Sequence, residues 1–441
     1  MKALHFSLLP ARRVVALLGS ILLVSSCHDK SEPAPPAMAD PTAGRAMVLA
    51  WNQAGTVAVT RLTNPATGFF VLPHLEARAY AIVGLAMYDA LNNIQQKNTP
   101  YALQGTLVPD ASPDAAVCAA AHDALVAVLP AQQIYADSLY QALLAKITVG
   151  DAKTKGVALG QAAAKAILAK RANDGAAQAQ VPITINNAPG SYQYTPPFDG
   201  PPFNGYYALA GYKDVLPFGL TTANQFRPGP PLALTSADYT ADFNDAKSLG
   251  GTTSATRTAD QATTALFWLN NSGLQWNRIA RTVLAAQDRD TYVTVRLLAL
   301  LQMAVADTYV AVGDAKSFYM RWRPITAIRQ AATDGNPDTA PDAAWMPFAF
   351  PNPPDSDYPS GHATAGAAAA AVLQGFFGTD AIAFATTNNA GTSRSYTSFS
   401  QAAAENALSR VYAGYHFRSS TVKGQQLGTQ LGGYLVQTAL K

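Results

Sequence analysis

Cysteine is almost absent: 441 residues contain only Cys27 and Cys118. Charged residues are also scarce, at 13%. The formal net charge is +3, but Lys2, Arg12 and Arg13 all precede residue 27, and the remainder balances 28 basic against 28 acidic residues. A neutral chain lacks the basic surface that a nucleic-acid binder needs. Beyond residue 27 there is no membrane-spanning run, no strand-like alternation and no repeat of fixed period. What is abundant is apolar surface: 49% of residues are apolar, enough for a large core in one domain or two lobes.

The first residues read as an export signal. Three cations precede an apolar run from Val14 to Val24, which is too short to span a bilayer and is followed by Ser25-Ser26-Cys27. Val24-Ser25-Ser26-Cys27 resembles a bacterial lipoprotein cleavage box, with Cys27 carrying the lipid. Residues 1–26 are then a signal peptide, and the protein is exported and lipid-anchored to the cell envelope. Cys118 lies in an Ala-rich helical stretch and reads as a small core residue, so no intrachain disulfide is expected. Residues 27–44, rich in Pro and Ala, read as a flexible tether.

From residue 45 the pattern is helical. Apolar spacing and stop signals predict helices over Leu75–Ile94, Pro113–Leu129, Ala131–Ile147, Ala152–Ala172, Ser236–Leu249, Thr258–Asn270, Gln275–Asp288 and Thr291–Val312. Further helices are expected over Gly361–Gly375, Gln401–Ala413 and Val422–Leu440. The fold class is all-α, with bundled helices and long Pro-rich connections. Residues 186–232 break the pattern with three Pro-Pro pairs and many aromatics. They are expected either to strap the surface or to roof a site.

Three short motifs carry the chemistry. In Pro359-Ser360-Gly361-His362, Ser360 can cap a helix whose N-terminus attracts anions, Gly361 allows close approach, and His362 can move protons. In Lys316-Ser317-Phe318-Tyr319-Met320-Arg321-Trp322-Arg323-Pro324, Lys316 and Arg323 stand seven apart and would share a face on one helix. Arg321 and Arg329 fit a solvated basic face better. In Ser409-Arg410-Val411-Tyr412-Ala413-Gly414-Tyr415-His416, Gly414 can end a helix and so bring Arg410 and His416 together. Lys, two Arg, a hydroxyl, an amide and two histidines are what a tetrahedral oxyanion such as phosphate or vanadate requires.

The order Lys-x6-Arg-Pro, Pro-Ser-Gly-His, Ser-Arg-x5-His resembles the superfamily of type 2 phosphatidic acid phosphatases and vanadium-dependent haloperoxidases, closest to its soluble bacterial haloperoxidase-like branch. Ala50–Gln53, Ala86–Ala90, Gln225–Pro228 and Trp322–Arg329 support it, and the resemblance covers roughly residues 45–440. It implies one all-α catalytic domain over 45–441, with a vanadate cofactor held by Lys316, Arg323, Ser360, Gly361 and Arg410. His416 would be the vanadium ligand and His362 the acid–base residue. Lys316 would polarise bound peroxide, and hydrogen peroxide and halide would be the substrates. The alternative is an acid phosphatase in which His416 attacks a phosphoester. A lipoprotein that binds a ligand without catalysis is a third reading.

Two positions depart from the family. Its pattern often continues His-x3-Asp, the Asp orienting the histidine, whereas Ser420 stands there in this chain. Seven residues before His362, where known haloperoxidases carry an aromatic or histidine near the halide, stands Asp355, with Asp357 close by. Elsewhere His74 and His122 read as core or surface histidines, and Trp268, Trp276 and Trp345 as packing. Asp314 is either a partner for a cation or a solvated helix-end acid. Tyr358 either lines the site or packs.

Overall fold

The computed structural model describes residues 44–62, 71–105, 107–178 and 181–441; the export signal, the lipidation box and nearly all of the tether lie outside these. The described chain is built on α1 (Arg45–Leu62), α2 (Pro73–Asn92), α3 (Pro113–Val128), α4 (Gln133–Leu144), α5 (Asp151–Arg171), α6 (Ala237–Gly250), α7 (Ala259–Phe267) and α8 (Ser272–Ala285). There follow α9 (Thr291–Tyr319), α10 (Pro324–Arg329), α11 (Gly361–Phe377), α12 (Phe399–Tyr412) and α13 (Arg418–Thr438). Local chemistry sets many of the starts. Ser112, Ser236, Thr258, Asp290, Ser360 and Ser398 each accept a backbone N–H of the first turn, and Thr258 with Gln261 forms a full capping box.

The fold is mostly helical, as expected, with one small addition among the described residues. A hairpin of β1 (Phe384–Thr387) and β2 (Ser393–Tyr396) pairs antiparallel, with Phe384 opposite Tyr396. Strands of four residues are too short to show alternation, and Phe384, Thr386 and Tyr396 are the residues they bury. The turn is made by Asn388, whose side chain accepts the Ala390 and Thr392 N–H groups, and by Gly391 at φ +84°.

The 29-residue α9 is the common wall. Contrary to the expectation of no such run beyond residue 27, its length and composition would suit a bilayer span, but 94% of the qualifying stretch is buried inside the protein. It packs against α2, α8, α11 and α13, and a single large cluster of buried apolar side chains runs from α1 to α13 through it. Cys118 is a free, buried member of that cluster.

Close helix contact fixes where the Pro-Ser-Gly-His turn sits. Gly424, Gly428 and Gly432 recur every fourth residue on α13 and face the carbonyls of Ser360, Thr364 and Ala368 on α11. A Cβ at any of the three would fall well inside van der Waals contact with backbone, which cannot yield as a flexible side chain can.

The 186–232 segment is a roof. It is stitched to the end of α9 and to residues 352–358, which lead into α11. Tyr192 N–H donates to Met320 O (2.6 Å) and Ala208 N–H to Pro354 O (2.8 Å). The Tyr207 hydroxyl meets Ser356 Oγ at 3.1 Å, and Asn352 donates to Thr195 Oγ1 at 3.0 Å. Arg227 grips Asp314 through two contacts of 2.6 and 2.7 Å, so Asp314 is a clamp on the roof and not a solvated acid. Tyr358 donates to Gly229 O at 2.6 Å and packs edge-on to Tyr319, anchoring the roof beside the site.

The α11–α13 contact yields a test. Gly428→Val should overpack it by about 1–3 kcal/mol and lower the thermal midpoint followed by circular dichroism. An unchanged midpoint would contradict the contact.

Candidate functional site

The three motifs meet under the roof by different routes. Lys316 lies on the last turn of α9. The helix stops at Tyr319, because Met320 adopts the left-handed conformation (φ 44°). Arg321 then bridges to Ser191, and Arg323 is extended at the N-cap of α10, ahead of Pro324. Lys316 and Arg323 therefore do not share a helix face, as their spacing predicts; a chain reversal brings them together. Along the extended piece, side chains alternate. Trp322 enters an apolar cluster with Tyr239, Ile325 and Phe417, while Arg323 points to the site. Arg321 is also buried, over the Tyr239 ring and bonded to Leu232 O, which corrects the expected solvated face.

The end of α12 matches expectation. Gly414 (φ +79°) follows the C-cap Ala413, Gly414 N–H returns to Val411 O, and Tyr415 N–H returns to Arg410 O. This is a Schellman ending. It folds His416 back beside Arg410, where a continuing helix would have separated them.

His416 is the hub. Its Nδ1 lies 2.8 Å from Asp357 Oδ1, and its Nε2 lies 3.1 Å from Arg323 Nη1. A guanidinium only donates, so Nε2 carries the lone pair. Burial, then Arg323, Lys316 and Arg410, push the His416 pKa well below its usual value. The ring is neutral, with its one proton on Nδ1 facing Asp357. Burial pushes Asp357 up to about 7, against the pull of Arg323 and Lys316. The carboxylate missing at Ser420 is thus supplied by Asp357, 59 residues before His416 in sequence. Ser420 plays a different part. Its hydroxyl donates to Asp357 O at 2.8 Å and its carbonyl accepts Ser360 N–H at 3.1 Å. It ties the segment that carries Asp357 and Ser360 to α13.

Around this hub stand three buried cations. Lys316 Nζ donates to Ser356 O, to Asp357 O at 3.3 Å, and to Asp355 Oδ1 at 2.9 Å. Burial lowers its pKa to about 8. Arg323 donates to Asp355 O (2.7 Å), Tyr415 O (2.8 Å) and the Asp355 carboxylate. Arg410 donates to Trp268 O at 2.9 Å and lies 4.8 Å from the centre of the Tyr415 ring. Its Nε is buried with no partner, and it makes no ion pair among the described residues.

The opening turn completes the set. The Ser360 hydroxyl accepts Ala363 N–H at 3.5 Å as N-cap, which leaves its own proton to give. A Cβ at Gly361 would find Tyr309 and Val312 no nearer than 3.8 Å, so protein packing does not require the glycine and there is room over its backbone. His362 Nε2 donates to Asn270 O at 3.3 Å, leaving Nδ1 as the unprotonated nitrogen. Burial, then Arg410, hold its pKa well below the usual value, so His362 is neutral and able to accept a proton.

Motif spacing does not reveal the role of Asp357, nor Tyr309 or the carbonyls of Asn270 and Trp268. Tyr309 stands two turns before Lys316 on α9, a spacing visible in the sequence; its hydroxyl is buried without a partner among the described residues. His74 is buried against Tyr212 within electrostatic reach of Asp355, and burial lowers its pKa to about 4. His122 instead bonds Asp123 and Asp137 near Tyr140, and Trp268, Trp276 and Trp345 are packed, as expected.

Known proteins share this arrangement's framework. Residues 296–441 match the family model described as the VCPO second helical-bundle domain. The crystal structure of the first bacterial vanadium-dependent iodoperoxidase superposes with a TM-score of 0.73 at 25% identity, over 88% of this chain and 96% of that one. The fold is that of the vanadium haloperoxidases. A holo-type bacterial vanadium-dependent chloroperoxidase superposes with a TM-score of 0.68 at 16% identity, over 83% and 93% of the two chains. The vanadium chloroperoxidase of Curvularia inaequalis is 28% identical over 229 residues, 45% of this chain but only 36% of that protein. Every site residue from Lys316 to His416 falls inside the segment matched to the second bundle domain.

The tautomer is directly testable. In protein carrying 15N-histidine at about pH 8, where Asp357 is ionised, His416 should be neutral with its proton on Nδ1, because its pKa is displaced downward. Asp357→Asn should remove that preference. An imidazolium signal at that pH, or a proton on Nε2, would contradict the geometry.

Proposed function

We propose that the protein is a vanadate-dependent haloperoxidase that uses hydrogen peroxide to oxidise halide to a hypohalous species. The observation that carries the reading is one buried hub: an unprotonated His416 Nε2 surrounded by Lys316, Arg323 and Arg410, with Ser360, Gly361 and His362 on the adjoining helix turn. The donor set fits a vanadate ion. Three cations share the site with two carboxylates, Arg410 has an unpartnered Nε, and there is space over Gly361. Lys316, Arg323, Arg410, Ser360 Oγ–H and the Gly361 backbone would hold the oxygens, and His416 Nε2 the vanadium.

When bound, vanadate supplies Lewis acidity that activates peroxide towards halide without a change of oxidation state. The chain's own residues do the rest. Asp357 holds His416 in the tautomer that presents a lone pair. Neutral His362 accepts a proton at Nδ1, and an anion beside Arg410 would offset the positive field that, together with burial, keeps it uncharged. The ammonium of Lys316 draws negative charge towards itself in a site that the roof shields from water. Asp357 behind His416 would serve a nucleophilic histidine equally well, so a phosphatase using the same pocket is the second reading.

Reconstitution with orthovanadate followed by separate assays of peroxide-dependent iodide and bromide oxidation and of aryl phosphate hydrolysis decides between them. Halide oxidation is expected, with a loss of roughly 10²–10⁴-fold in His362→Ala and a larger loss in His416→Ala. Hydrolysis without halide oxidation would overturn the haloperoxidase reading. We also propose envelope attachment through a lipid on Cys27, supported by Val24-Ser25-Ser26-Cys27 alone; mass spectrometry showing an unmodified Cys27 in the exported protein would refute it.

A further inference from the structure

Lys316 already has three acceptors for its three protons: the carbonyls of Ser356 and Asp357 and the Asp355 carboxylate. The two carbonyls belong to the backbone that leads into the Ser360 turn, so they are fixed. Asp355 alone contributes a side chain. The same Oδ1 accepts from Arg323 Nη2, while three other Arg323 donors turn to Asp355 O, Tyr415 O and His416 Nε2. One carboxylate oxygen therefore holds two of the three cations that an incoming oxyanion would need. The Asp355 side chain is 16% exposed, whereas those of Lys316 and Arg323 are 2% and 1% exposed. Its open side gives it somewhere to go. Arg410, by contrast, has no carboxylate partner among the described residues.

We propose that Asp355 is a displaceable internal anion that competes with the oxyanion for Lys316 and Arg323, and so sets how tightly this site binds vanadate or phosphate. The inference rests on the oxyanion reading above. Two arms follow from it. Arg410, Ser360 and Gly361 are open to a ligand from the outset, whereas His416 Nε2 accepts from Arg323 Nη1 at 3.1 Å and is freed only as Arg323 turns to the ligand. The Lys316–Arg323 arm becomes available only when the carboxylate gives way. Each charge-assisted bond to Asp355 that must be exchanged weakens binding, because the ligand gains only the difference between its own contacts and those it replaces. Carboxylate and oxyanion also repel each other if both remain in the low-dielectric site. The competition is blind to the central atom, so vanadate and phosphate should feel it alike.

The test is equilibrium binding, with no turnover. Orthovanadate and inorganic phosphate are each titrated by calorimetry into metal-free wild-type protein, Asp355→Asn, Asp355→Ser and Arg410→Ala, with circular dichroism and thermal melting as folding controls. Both Asp355 variants should bind both anions more tightly than wild type, by about 10- to 100-fold. Asp355→Ser guards against an asparagine that merely replaces the carboxylate as acceptor. If wild type binds in an Arg410-dependent way and neither Asp355 variant binds tighter, the displaceable anion is overturned and the oxyanion site stands. If binding is indifferent to Arg410→Ala, or absent from all variants, the oxyanion reading falls and the proposal with it.

Discussion

Three cations are buried around one neutral histidine, and the rest of the structure answers to that constraint. Lys316, Arg323 and Arg410 are each no more than 2% exposed. A charge taken from water costs several kcal/mol unless it is paired and fully hydrogen-bonded. The fold meets this with Asp355, with the carbonyls of Ser356, Asp357, Tyr415 and Trp268, and with the Tyr415 ring. Burial, reinforced by the surplus of positive charge, holds both site histidines neutral. It is also the feature that an anionic ligand would complete.

Helix packing and strap together impose this arrangement. The glycine face of α13 lets α11 approach backbone to backbone and fixes the Ser360 turn, while Ser420 on the same helix holds Asp357. The roof closes over the segment between α10 and α11 through Tyr207, Thr195 and Ala208, and Asp314 clamps it to the last turns of α9. Side chains next to the charged groups, Trp322 beside Arg323 and Phe417 beside His416, are buried in one apolar cluster. Hydrophobic burial thus determines where the charges point.

Much of this could be read from the sequence where the cause is local. A Ser cap begins α11 and Gly414 ends α12 at the expected places, because caps and φ preferences act within a few residues. Residue spacing failed between Lys316 and Arg323, since it assumed a helix that stops at Tyr319. It also failed for the hairpin, whose strands are too short to carry a period. Partnerships between distant residues left no sequence signal. Ser420 in place of the expected Asp suggested a missing support for His416, yet Asp357 supplies it from another segment. Asp355 was conspicuous in sequence as a carboxylate near a halide; the structure shows it facing the two cations instead.

The central claim is that these residues form one oxyanion site with His416 at its apex. A crystal structure of the protein soaked in orthovanadate tests it most directly. The account predicts vanadium bonded to His416 Nε2, with its oxygens on Arg410, Ser360 and the Gly361 backbone and, once Asp355 has moved, on Lys316 and Arg323. Vanadium bound elsewhere, or held without His416, would contradict it.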